Sequence, residues 1–288
     1  MGLELAARLG GTVINADSMQ VYRELRVLTA RPSQSEEARA PHRLYGTIPA
    51  AESCSVGRWL DDVADALAEA RGEGRLPILV GGTGLYFKAL SEGLAPVPDI
   101  PAEVRSYWRE EAAKASREAL HRELAARDPA MAARLKPADS QRIVRALEVI
   151  DATGISLAEW QGGNAAPLLG AGDVLRLVIA PEREPLYAAI DARLDRMIEE
   201  GAIEEVRALL DLELDPGLPA MRAHGVRELA AYLSRAISRE EAVANAKTES
   251  RRYAKRQKTW LRRFMANWQW FPDADTAIEA ATAMLTTP

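Results

Sequence analysis

The sequence predicts an α/β protein, a parallel sheet wrapped by helices and interrupted by a helical insertion. Three observations carry this. Short apolar runs at 12–16, 76–80 and 174–180 alternate with amphipathic stretches, the rhythm of a doubly wound sheet. Glycines stand beside the runs, as at Gly81 and Gly82 after the second. Between about Val97 and Pro167 only helical patterns occur.

Each element follows from local chemistry. Leu3 to Leu9 predicts a helix stopped by Gly10-Gly11, a common helix C-terminal signal. The β-branched run Thr12 to Ala16 predicts a strand ending on Asp17. Residues 56–71 set Val56, Leu60, Val63 and Leu67 on one helical face. The run 76-LPILV-80 is continuously apolar, as in a strand buried on both faces of a parallel sheet. Pro96, Pro98 and Pro101 interrupt the chain, and helices follow at 102–115, 117–127, 129–135 and 139–152. A last buried strand is expected at 174–180, then helices near 184–212, 226–233 and 239–266. Residues 1–96 and 168–288 are thus expected to form the core with its C-terminal helices, and 97–167 the insertion.

The chain has 288 residues, 48% hydrophobic and 27% charged, an ordinary soluble balance. A net charge of −5 gives no global sign of nucleic-acid binding. The average hides an asymmetry: Lys247 to Arg263 holds eight Lys or Arg against one Glu, leaving −12 elsewhere. Arg251, Lys255, Lys258 and Arg262 fall at i, i+4, i+7 and i+11, one basic stripe, while Tyr253, Trp260 and Phe264 occupy another seam. A solvated face is the ordinary reading of a charged stripe; so large a local excess favours phosphate attraction. The single cysteine, Cys54, excludes an internal disulfide framework and any multi-cysteine zinc site, and reads as a partly buried thiol in a reducing compartment. With no apolar run of ~18 residues and no signal-peptide pattern, a cytoplasmic protein away from membranes is expected.

Ligands of open α/β sheets bind at the carboxyl ends of strands. Asp17 stands at such an end, where an acid can be a general base, a magnesium ligand or a helix cap. The turn 81-GGTG-84 can present backbone N–H groups to an anion, a weak signal alone. A Gly-x-x-x-x-Gly-Lys-(Ser/Thr) loop is absent, as is any Gly-Lys dipeptide. Arg142 and Arg145 share a helical face, with Ile143, Val144 and Leu147 free to point into the insertion's own core. Arg193 alone reads as a solvated surface charge.

Together the stretches say more. 16-ADSMQVYRELRVLTARPS-33, 41-PHRL-44, 80-VGGTGLYFKAL-90, 140-SQRIVRALEVI-150, 190-IDARLDRMIEEGAIEEVRALL-210 and 250-SRRYAKRQKTW-260 occur in this order. The chain resembles the bacterial tRNA dimethylallyltransferases over about residues 3–270. The resemblance implies a P-loop-NTPase-like core with a helical insertion. It also implies transfer of a dimethylallyl group from dimethylallyl diphosphate, with Mg²⁺, to N6 of the adenosine beside the anticodon. It makes Asp17 the catalytic base and Arg193 the residue steadying the diphosphate. Asp17 itself, Ser18, Met19, Gln20, Thr83, Arg105, Gln141, Arg142, Ile143, Val144, Arg145, Arg222, His224, Gly225 and Arg227 become tRNA contacts, although family members commonly carry an aromatic where this chain has Val226. The stripe Arg251, Lys255, Lys258 and Arg262 is expected to touch RNA phosphates nonspecifically. A monomer acting on the tRNA anticodon stem-loop is the expected assembly.

The sequence departs from the family at its start. Members begin with a strand and a GPTASGK(S/T)-type loop, whereas this chain starts inside the following helix. Roughly 15–20 residues of strand, loop and helix start are therefore expected to be missing, with weak diphosphate binding, little or no transfer and lower stability for this form. Two other readings stand beside it: a non-catalytic tRNA-binding remnant, and an adenylate isopentenyltransferase, which would need neither the insertion nor the basic helix.

Overall fold

The structure is a computed structural model and describes residues 1–163, 166–170, 172 and 174–286. Helix α1 (Gly2–Leu9) ends at Gly10 in the left-handed region and delivers the chain into strand β1 (Gly11–Asn15), buried at every residue. After α2 (Gln34–Glu37), strand β2 (His42–Arg43) pairs parallel with β1. Helix α3 (Val56–Gly72) starts on Ser55, whose hydroxyl accepts from the Arg58 N–H at 3.1 Å. Strand β3 (Leu76–Val80) pairs on the other side of β1, in the order β2-β1-β3. Val13 lies opposite both His42 and Ile78, so all three strands present their carboxyl ends to the same edge. Helix α4 (Gly84–Glu92) leaves that edge.

Contacts divide the chain into two compact units, Met1–Ala89 with Leu169–Pro288, and Leu90–Leu168. The second unit holds α5 (Ala102–Lys114), α6 (Arg117–Arg127), α7 (Pro129–Ala132), α8 (Ser140–Thr153) and α9 (Leu157–Trp160). Trp108, Leu120, Leu124, Met131, Ile143, Leu147 and neighbours make its own core. Asp128 ties it locally, accepting from the Met131 N–H at 3.0 Å and from the Ser156 hydroxyl at 2.8 Å.

The first unit resumes with strand β4 (Leu177–Ile179), helices α10 (Arg183–Glu199) and α11 (Ala202–Leu210), and a 3₁₀ turn at Ala220–Arg222. Helices α12 (Val226–Leu233) and α13 (Arg239–Phe264), strand β5 (Gln269–Phe271) and helix α14 (Ala274–Thr286) complete it. Helix α13 packs on α10 and α12, and α14 on α1, β4 and β5. Leu5, Ile278 and Ala281 join partly buried Ile78 and Leu177 in one apolar cluster.

The α/β class and most helices are where the sequence places them; four details differ. The expected strand at 174–180 is only Leu177–Ile179 and pairs with β5 in a separate two-stranded parallel sheet. The run Leu76–Val80 is an edge strand, half-buried along its length rather than covered on both faces. The expected helix 184–212 breaks at Gly201, whose φ of 101° no branched residue adopts without strain. The expected helix 129–135 ends at Ala132.

Ile143, 0% exposed at the centre of the second unit's core, sits where an alanine leaves a cavity. Ile143→Ala is expected to lower stability by about 2–5 kcal/mol, read as a shifted urea midpoint for that unit. An unchanged midpoint would mean the side chain is not core.

Candidate active site

At the carboxyl edge of the three-stranded sheet, β1 ends on a side chain that acts as a clamp. Asn15 accepts from the Asp17 N–H at 2.8 Å and donates to the Asp17 and Leu44 carbonyls at 3.0 and 3.1 Å. The indole N–H of Trp59 holds the Asn15 carbonyl at 3.1 Å. The backbone at Asp17 is therefore fixed before its side chain does anything. One carboxylate oxygen accepts from the Met19 N–H at 2.8 Å, closing an Asx turn. The other is turned toward Gly82. No helix starts here, so Asp17 is not a helix cap.

The exit of β3 locks onto the same point. The Ala16 N–H donates to Val80 at 2.8 Å, and the Thr83 N–H returns to the Ala16 carbonyl at 3.2 Å. The Thr83 hydroxyl accepts from the Ser18 N–H at 2.9 Å and donates to the Ser18 hydroxyl at 3.1 Å. A Cβ at Gly81 would overlap the Ala16 carbonyl, so the crossing of these two turns needs glycine. From α13, Gln257 donates to the Gly82 carbonyl at 2.8 Å and the Trp260 ring rests on Gly84. Helix α13 thus closes the 81–84 turn.

Around Asp17 stand Arg193, His224 and three tyrosines. Arg193 on α10 keeps solvent access yet sits among enough protein that lost hydration pulls its pKa below the usual arginine value, a shift that Asp17 opposes. Burial, reinforced by Asp17, raises the phenols of Tyr45, Tyr86 and Tyr253. His224 stands 4.4 Å from the Tyr253 ring. Burial, helped by the nearby Arg256 charge, lowers its pKa against the opposing pull of Glu228, Asp17 and Glu249. Tyr86 stacks on Trp59 at 3.9 Å. Cys54, half-buried near Tyr86, has its thiol pushed up by burial, which makes it a poor nucleophile.

The loop after Asp17 is held from outside. Glu205 on α11 accepts from three consecutive backbone N–H groups, Arg26, Val27 and Leu28, at 2.7, 2.7 and 2.9 Å. Gln20 spends its amide donors on the Thr29 and Ala30 carbonyls at 2.8 and 3.0 Å, bracing this loop.

Residues 20–264 match the IPP transferase family. The chain belongs to that family. It is 53% identical over 285 residues to a tRNA dimethylallyltransferase of Nitrobacter hamburgensis, covering 99% of this chain and 88% of that one. It is 56% identical over 270 residues to one of Bradyrhizobium, covering 94% and 88%. The crystal structure of the full-length tRNA isopentenylpyrophosphate transferase of Bacillus halodurans superposes with a TM-score of 0.67 at 35% identity, over 98% of this chain and 89% of that one. A eukaryotic dimethylallyltransferase captured acting on tRNA gives 0.76 at 26% identity, over 90% and 65%. The α/β core is thus of the P-loop-like type of this family.

The structure gathers Asp17, Ser18, Met19, Gln20, Thr83, Arg193 and His224 in one unit. Arg222 and Arg227 are exposed at the end of the 3₁₀ turn and at the start of α12, with Gly225 buried between them. Arg105, Gln141, Arg142, Val144 and Arg145 belong to the other unit. There Arg105 donates to the Ile100 carbonyl at 2.9 Å, and Arg145 pairs with buried Glu148 at 3.3 Å. Ile143 is fully buried, so its side chain cannot touch RNA; its place in the motif is explained by packing. The basic stripe also needs correcting. Arg251 pairs with Asp191 at 2.6 Å, and Lys258 donates to the Pro181 carbonyl at 2.8 Å, leaving Lys255 and Arg262 as its outward members.

Sequence reading missed Asn15, Glu205 and Gln257. Each left a faint trace: a polar end to an apolar strand, an acid among the buried Ala202, Val206 and Leu209, and an amide in the Tyr253–Trp260 seam.

Glu205→Ala is expected to cost about 1–3 kcal/mol and to speed amide exchange at Arg26, Val27 and Leu28. For His224, the lowered pKa means that the unfolded chain protonates first as pH falls. Its neutral form therefore stabilises the fold above about 6.5, and that contribution is lost below. An NMR titration should place His224 beneath the ordinary histidine midpoint.

Proposed function

We propose that this chain is built to transfer a dimethylallyl group from dimethylallyl diphosphate to N6 of the adenosine beside a tRNA anticodon. The observation carrying this is the Asp17 carboxylate, fixed at the sheet edge by Asn15 and Met19 within electrostatic reach of Arg193. The lone pair of the adenine amine is delocalised into the ring, so the amine attacks weakly. Asp17 takes its proton as the new C–N bond forms. The allylic C–O bond breaks at the same carbon, and the electron pair leaves with the diphosphate. Arg193 meets that growing negative charge with a guanidinium fork. Ser18, Met19, Thr83 and the remaining acceptor of Gln20 line the side where the adenine, swung out of its stack, meets the base. Arg222, His224, Gly225 and Arg227 extend this surface. Arg105, Gln141, Arg142, Val144 and Arg145 give the helical insertion its tRNA contacts.

Magnesium is expected with the diphosphate. Among the described residues no group of three or more His, Cys, Asp or Glu side chains is placed to hold a metal ion. The steps above run on this chain's own groups. On this chain the diphosphate contacts are assigned to Arg193 and the backbone N–H groups of the 81–84 turn. We place the protein in the cytoplasm, acting as a monomer. Among the described residues no helix is long and apolar enough to cross a membrane.

Single-turnover transfer of a radiolabelled dimethylallyl group, at high diphosphate concentration, tests the assignment. Asp17→Asn is expected to slow transfer at least ~100-fold while anticodon stem-loop affinity stays unchanged. Undiminished transfer would remove Asp17 as the base.

A further inference from the structure

The two groups that the proposed reaction needs arrive on separate elements. Asp17 follows β1, and Arg193 stands on α10, about two helical turns before the break at Gly201. Helix α13 ties the two from one side, through Gln257 to the 81–84 turn and through Arg251 to Asp191 of α10. The tie from the other side is Glu205.

One turn past the break, Glu205 is anchored by its own N–H to the Gly201 carbonyl at 3.0 Å. Its helix is buried on Ala202, Ile203, Val206 and Leu209. Its carboxylate reaches the segment 20–31, which is cross-braced within itself. Gln20 holds the Thr29 and Ala30 carbonyls, and the Thr29 hydroxyl donates to the Leu25 carbonyl at 2.8 Å. The Arg31 guanidinium donates to the Tyr22 and Arg23 carbonyls at 3.2 and 3.1 Å. Val21, Tyr22 and Leu25 are no more than 1% exposed. A segment wired in this way behaves as one piece, so a shift at Arg26–Leu28 is passed to Gln20 and to the Asp17–Met19 turn beside it. The same piece bears on His224. Leu28 packs so closely on Gly225 that a Cβ there would lie 2.9 Å from the Leu28 Cδ2.

Glu205 uses both of its oxygens. Oε2 accepts from the Arg26 and Val27 N–H groups, and Oε1 from the Leu28 N–H. A carboxylate has lone pairs for all three, whereas a primary amide of the same size must turn its own N–H toward at least one of these donors. The bond that completes the loop therefore comes, in ionised form, from the helix that continues from Arg193.

We infer that Glu205 is a positioning residue for the transfer, holding the Asp17–Gln20 turn in register with Arg193 and His224. It acts through the backbone of Arg26, Val27 and Leu28 and touches no reacting atom. The inference rests on the dimethylallyl-transfer reading above.

The test compares Glu205→Gln with Val206→Ala in the full chain, at a temperature where urea titration shows both folded. Val206 is 0% exposed on the same helix, so its truncation destabilises α11 and leaves the three N–H bonds in place. Single-turnover transfer to an anticodon stem-loop at saturating diphosphate should fall ~10–100-fold in Glu205→Gln, with stem-loop affinity within ~3-fold of wild type. In Val206→Ala the rate should stay within ~3-fold. Glu205→Asp, which keeps both acceptors one methylene short, should recover part of the rate. In ¹H–¹⁵N spectra the Met19 amide, which reports the bond to Asp17, should shift in Glu205→Gln and stay in place in Val206→Ala. A rate unchanged in Glu205→Gln, or reduced equally in Val206→Ala, overturns the positioning role and leaves the transfer reading standing. Absence of transfer by the wild-type chain overturns the transfer reading, and the Met19 amide then decides alone. A shift confined to Glu205→Gln upholds the role, and no shift overturns it.

Discussion

The site depends on a backbone joint at Ala16. Its N–H is taken by Val80 at the end of β3, and its carbonyl is taken by Thr83 just past it. One residue thus ties together the exits of two parallel strands and leaves no slack between them. The joint demands glycine at 81, because any side chain there would occupy the space of the Ala16 carbonyl. It also dictates where Asp17 and Thr83 point, since each follows the joint by one residue or three. Backbone hydrogen bonds are individually modest in net stability. Their value here is geometric, because a carboxylate in the role proposed for Asp17 loses much of its effect when displaced by an ångström.

Around this joint the charges are arranged so that few are idle. Asp17 opposes the loss of charge on Arg193, and burial, with Asp17 adding to it, keeps the surrounding phenols protonated. Those phenols remain hydrogen-bond donors or neutral surfaces beside a substrate. The neutral form of His224 is favoured by its burial and by Arg256, so the wall it forms with Tyr253 adds no positive charge that would compete with Arg193 for the carboxylate. Glu205 has a different task. Its carboxylate organises the loop after Gln20 by collecting N–H groups that no strand or helix satisfies.

What the sequence makes legible follows from where information is local. Helix periodicity, glycine stops and β-branched runs are local, and they place β1, β3 and most helices within a few residues. Pairing partners are not local. Nothing in 174-VLRLVIA-180 indicates that it joins Gln269–Phe271 rather than β1, and a two-residue strand such as β2 has no periodicity to detect. The same division holds at the site. Asp17, Thr83 and Arg193 are proposed as site residues because their motifs carry them. Asn15, Glu205 and Gln257 act through partners 2 to 179 residues away, a relation visible only once the chain is folded. Ile143 shows the reverse error: a residue inside a functional motif serves packing, because every helix that presents arginines outward must bury its other face.

Helix α13 shows how one element can serve two surfaces. Tyr253, Gln257, Trp260 and Phe264 repeat at the same spacing as Arg251, Lys255, Lys258 and Arg262, offset by two residues. At about 100° per residue, that offset sets the two rows roughly opposite each other. The inner row closes the 81–84 turn and backs His224; the outer row meets α10 and solvent. Only Ala242 and Ala246 of this helix are fully buried, both near its start. Its second half is therefore held mainly by directed contacts: Gln257 to Gly82, Trp260 on Gly84, Lys258 to Pro181 and Arg251 to Asp191. A helix anchored in this way is held by point contacts rather than sunk in a core, so its outer row is tied to α10 and the Pro181 carbonyl while its inner row fixes the 81–84 turn.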